Sequence, residues 1–163
     1  MTTYTDDDFI NKIEQALKTY LSDYLEDEGH DVEVSVGWPD FTNKLPLDKA
    51  HISISIDDDI NFNDTGYDDE DDGIEVIFTI FIDVWTSRGS STKPSKSGGK
   101  TGANRIVAKI AKSLTKDIDQ LFVAYPGIDE VMRFRKVFSR NPSVIDEDDI
   151  FQINSELILK IIV

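Results

Sequence analysis

Ile74-Glu-Val-Ile-Phe-Thr-Ile-Phe-Ile-Asp-Val-Trp85 places Ile, Val or Phe at every even position from 74 to 84. A period of two held over that length marks a long strand with at least one buried face. The run empties into the Gly-, Ser- and Lys-rich segment 87–102, then into Ala103-x-x-Ile106-Val107-x-x-Ile110-x-x-x-Leu114. Spacings of three and four there predict an amphipathic helix, with Thr101 or Asn104 placed to cap it. A side-chain-poor loop of that length inside a small domain is expected to be flexible and functional.

Upstream, Phe9, Ile13, Ala16, Leu17, Tyr20, Leu21, Tyr24 and Leu25 form one apolar stripe and predict a helix over 8–25. Asp6, Asp7 and Asp8 suit its N-terminus, and Gly29 is placed to stop it. Val32–Val36 and Ile52–Ile56 alternate as two short strands, and their succession favours antiparallel pairing. Downstream, Pro126-Gly127 makes a turn. Val131–Phe138 and Ile150–Val163 read as closing strands joined through Asn141-Pro142-Ser143 and an acidic turn. The expected fold is α+β: one mainly antiparallel sheet of about five strands with two helices packed on it, in the order helix-strand-strand-strand-helix-strand-strand.

The 163 residues fit one domain, and 39% hydrophobic content is enough for a core. The absence of cysteine excludes a disulfide scaffold and a thiolate metal site. Met-Thr-Thr-Tyr-Thr-Asp-Asp-Asp has no basic region and no apolar core, so no signal peptide is expected. No apolar run is long enough to span a bilayer. A cytoplasm-like compartment is expected.

The net charge of −15 argues against general nucleic-acid binding. Its distribution is more informative. Asp57, Asp58, Asp59, Asp64, Asp68, Asp69, Glu70, Asp71 and Asp72 fill the link 57–73 without one basic residue. From Arg88 to Lys116 the charges are all basic, among them Lys93, Lys96, Lys100 and Arg105. Two opposite blocks flank one strand.

Chemical motifs are approached but not completed. Gly99-Lys100-Thr101 sits between strand and helix as in a nucleotide loop, yet the required earlier glycine is Pro94. Asp68, Glu70, Asp72 and Gly73 open like a calcium loop, but its twelfth position is Thr79 instead of a bidentate Glu. A loose divalent-cation site among Asp57, Asp59, Asp64 and Asp68 ranks below a solvated acidic loop. Pro39-Asp40 has no Glu-x-Lys partner after Glu75, as a metal-dependent nuclease would need. His30 and His51, the only histidines, have no spacing of a metal pair or triad. Trp85 closes its strand as a core or interface anchor. No enzyme and no cofactor is expected.

The strand ending in Val84-Trp85-Thr86-Ser87, the helix Ala103–Leu114, the strand Val131-Met-Arg-Phe-Arg-Lys-Val-Phe138, the acidic turn and the last strand together resemble the tail-terminator or tail-completion proteins of long-tailed bacteriophages. The N-terminal helix is similar in kind. The likeness covers most of the chain by element order, and residues 76–114 and 131–163 by local pattern. The loop 87–102 and the insertion 57–73 depart from it.

That resemblance implies a virion structural protein, made in the host cytoplasm, that sits at the head–tail junction. It would form a homohexameric ring that caps the tail-tube protein, ends polymerisation and meets the head–tail connector protein. DNA would pass through without specific binding, and no membrane is involved. A ring interface is heterologous, so Lys93, Lys96, Lys100, Arg105 and Trp85 are candidate contacts with a neighbour or the tube. The acidic segment, Asp57 to Asp72, is a candidate channel lining or interface. Two alternatives stay open: a neck or connector-completion protein, and an acidic DNA mimic that inhibits a host nucleic-acid enzyme.

Overall fold

The 74–85 run is the middle of the sheet. The computed structural model describes residues 6–40, 47–57, 61–64, 74–87, 99–116, 128–145 and 148–162. Their order is α1 (Asp6–Asp27), β1 (Val32–Val36), β2 (Ala50–Ile56), β3 (Asn61–Asp64), β4 (Ile74–Ser87), α2 (Gly99–Thr115), β5 (Ile128–Ile145) and β6 (Asp148–Ile162). The strands lie in the order β1-β2-β4-β6-β5, with β3 beside the first half of β4. The α+β fold expected from the sequence is what forms.

Both helices pack on one face. On β4 that face carries Val76, Phe78, Ile80, Ile82 and Val84, all buried. Register sets Ile52 and Ile54 of β2, and Ile153, Leu157, Leu159 and Ile161 of β6, in the same layer. α1 contributes Ile13, Leu17, Tyr20, Leu21 and Leu25, and α2 contributes Ala103, Ile106, Val107, Ile110 and Leu114. Full burial of one such aliphatic side chain stabilises the fold by about 1.5–3 kcal/mol. The two helices are tied directly: the Tyr20 hydroxyl donates to the Ser113 carbonyl at 2.7 Å, and Lys109 pairs with Glu28.

Gly29 ends α1 as expected, with φ of +83°. Its N–H donates to the Glu26 carbonyl and that of His30 to the Leu25 carbonyl, the paired bonds of a Schellman motif.

Four local expectations are corrected. β1 and β2 pair in parallel; alternation carries no strand direction, and the connection 37–49 is long enough for a crossover. Asn61–Asp64, expected inside the acidic link, forms β3 against Ile74–Ile77. β2 pairs only with β4 from Ile80 to Trp85, so β3 takes the edge it leaves. Asn141-Pro142-Ser143, expected as a turn, lies within β5 at a register shift between Arg140 and Ser143. Proline lacks a donor, and an edge-strand bulge tolerates that loss. α2 starts at Gly99, so Thr101 and Asn104 sit inside its first turns, where the Asn104 amide donates to the Lys100 carbonyl.

Candidate assembly surfaces

The sheet face turned away from the helices is built from the odd positions of β4. Asp83, Trp85 and Ser87 stand there, opposite Asn154, Gln152 and Ile150 of β6 and, for Asp83 and Trp85, Ser53 and His51 of β2. All eight are buried. Asp83 Oδ1 accepts from Asn154 Nδ2 at 2.8 Å and from Gln152 Nε2 at 3.1 Å. Trp85 Nε1 donates to Ser53 Oγ at 3.0 Å. A buried carboxylate is tolerable only with such donors, and this one has two amides on the adjacent strand.

Part of this face is covered by the β1–β2 connection. Leu47 packs with Trp85 and Ile150, and its N–H donates to Ser87 Oγ at 2.9 Å. Trp38 lies edge-on to Trp85 with centroids 6.4 Å apart, yet it is 76% exposed. Beside it, Ser35 Oγ and His51 Nε2 are 2.8 Å apart, and Glu33 Oε2 is 3.9 Å from His51 Nδ1. The row has the order of a nucleophile, base and carboxylate, but its last distance exceeds a hydrogen bond. It acts as a cross-strand tie between β1 and β2.

A surface hollow of about 350 Å³ opens where α1 meets β1, lined by Ser22, Glu26, Gly29, His30, Asp31 and Val32. The His30 ring is buried, and among the described residues neither nitrogen has a hydrogen-bond partner. Burial, then the cations Lys109 and Arg105, hold its pKa below the ordinary histidine value, with Glu28 opposing.

Among the described strands the order ends at β1 and β5, and β3, which pairs with β4 alone, adds a short third edge. Asp31, just before β1, and Glu33 within it are exposed; on β5, Arg133, Arg135, Lys136 and Val137 are exposed. Arg135 pairs with Glu156 at 2.8 Å, and Lys136 reaches the Asn104 side chain at 3.3 Å.

Of the residues that the sequence singled out, Lys100 is exposed at the start of α2 and Arg105 is half-buried on it. Trp85 is buried on the open face. Asp57 is half-buried, its N–H donating to the Thr79 carbonyl at 2.9 Å, and Asp64 ends β3. Lys93 and Lys96, with Asp58, Asp59, Asp68, Asp69, Glu70, Asp71 and Asp72, lie outside the described residues. Among the described residues no group of three His, Asp or Glu is placed to hold a metal ion, and no helix is long and apolar enough to cross a membrane. No family model matches this chain, and no curated protein matches it.

Three features were not picked out from the sequence: the Asp83 cluster, the Ser35–His51 tie and the exposed Trp38. The first left a signal, since Asp83 is the only charge in the 76–85 run and Gln152 and Asn154 alternate with Ile153. Which amides face that carboxylate depends on the register between strands far apart in the chain.

Proposed function

We propose that this chain is a virion structural protein: the tail terminator at the head–tail junction of a long-tailed bacteriophage. In this reading its subunits close into a homohexameric ring that caps the tail tube, stops polymerisation and presents a surface to the connector. The observation that carries it is β5, an 18-residue outermost strand that no other described strand covers on its far side. An edge of that length is a template for strand addition, and a subunit that uses it is an assembly part. The order helix, strands, helix, then a long β5–β6 pair also fits the element order of the resemblance. An acidic surplus suits a ring through which DNA slides, because repulsion limits phosphate contacts.

Native mass spectrometry with negative-stain imaging, followed by tube polymerisation with and without the protein, tests the proposal. The expected outcome is a species near six monomer masses with a central hole, and tubes that stop growing when it is added. A ring that binds connector but leaves tube growth unchanged would move the assignment to a neck protein. A monomer that binds neither tube nor connector would overturn the structural reading.

A further inference from the structure

The two ends of the described strand order, β1 and β5, are chemically unlike. Near β1 stand the exposed carboxylates Asp31 and Glu33, and on β5 the exposed Arg133 and Arg135. Among the described residues the large apolar side chains that are exposed number two, Trp38 at 76% and Val137 at 43%. Val137 lies on β5 beside its charges, while Trp38, just after β1, sits over the open face against Trp85 of β4. Exposed aromatics rimmed by charge are characteristic of binding hot spots.

We propose that successive subunits join edge to edge, with β1 of one copy beside the 133–137 stretch of β5 in the next. The proposal rests on the self-assembly reading above and names its contact surface. Three observations support the pairing. Glu33 faces the open side opposite His51, and Arg133 and Arg135 occupy the open-side positions opposite Ile158 and Glu156. A sheet continued from one copy to the next therefore brings unlike charges together on one face. Register shifts between Val131 and Arg133 and between Lys136 and Phe138 bound a short regular stretch of β5, comparable in length with the five residues of β1. Finally, β5 against β5 or β1 against β1 would oppose like charges, which costs several kcal/mol in a desolvated contact. Between these two edges the isologous β1–β1 and β5–β5 dimers are disfavoured and the head-to-tail contact is left, which is the kind that closes rings. Edge charges commonly blunt a strand against stray pairing; here each edge carries the sign that accepts the other. The in-chain pair Asp31–Lys49 is exposed on both sides, so rearranging it costs little, whereas Glu156, the partner of Arg135, is mostly buried.

The test uses two full-length variants, Arg133→Glu with Arg135→Glu, and Asp31→Lys with Glu33→Lys, each checked for a wild-type melting profile. Either variant alone is expected to raise the dissociation constant for self-association by about a hundredfold. An equimolar mixture should assemble again, as an oligomer in which the two masses alternate. Trp38→Ala, which leaves every charge in place, should weaken association by about tenfold or more. If the wild type assembles and all three variants match it, the edge pairing is overturned and the ring reading stands. If the wild type remains monomeric at millimolar concentration, the edge pairing and the self-assembly reading fall together.

Discussion

The two faces of the sheet bury their residues by different rules. On the helix side, β4 presents only Val, Phe and Ile from 76 to 84, and close packing alone accounts for the burial. On the other side the same strand buries Asp83, Trp85 and Ser87, each held by a named bond. The lesson is that one strand encodes two solvents. From 76 to 84 its even positions need volume, and at 83, 85 and 87 its odd positions need partners.

The largest break in that contrast is expected from Phe78→Ala. Phe78 is 1% exposed between the sheet and the helices, and truncating a buried phenylalanine costs about 3–5 kcal/mol. Urea unfolding should show it as a lowered midpoint at unchanged slope. Asp83→Ala comes next. It strips one shared acceptor from both Gln152 and Asn154, and stranding buried donors costs about 1–3 kcal/mol. Asp83→Asn should cost less, and a cost equal to that of Asp83→Ala would refute the hydrogen-bond account.

The third test sharpens the comparison, because His30, just past the end of α1, is a buried polar ring with no hydrogen-bond partner among the described residues. Its pKa is lowered from 6.5 in the folded chain. The unfolded chain therefore takes up the proton first, so stability is fullest above pH 6.5 and falls as pH drops below it. Urea midpoints at neutral pH and at pH about 5.5 should differ in that direction, and His30→Phe should reduce the difference. This is the smallest effect of the three. A midpoint that rises toward acid would contradict it.

Periodicity made the layers legible in sequence. The stripes Ile13 to Leu25 and Ala103 to Leu114 are the helix faces that pack, and the even positions of 74–84 are the core. A repeat of two or 3.6 reports which side is buried and nothing about neighbours. That is why neither the parallel pairing of β1 and β2 nor the place of 61–64 on β4 was legible from it. The edge charges follow the same logic. Asp31, Glu33, Arg133 and Arg135 are plain in the sequence, but their opposition exists only once β1 and β5 are known to end the strand order. The sequence drew the eye to the 57–73 and 87–102 blocks because they are dense in charge; edge position is not a density.

β6 follows every other described strand in chain order, yet it lies between β4 and β5. While such a chain is being synthesised, β4 keeps an open, strongly apolar edge along nearly its whole length. Pairings across that much sequence are slow to form, and unpaired strand edges aggregate. Residues 148–162 therefore complete the sheet last, and a chain interrupted before them keeps that edge of β4 open.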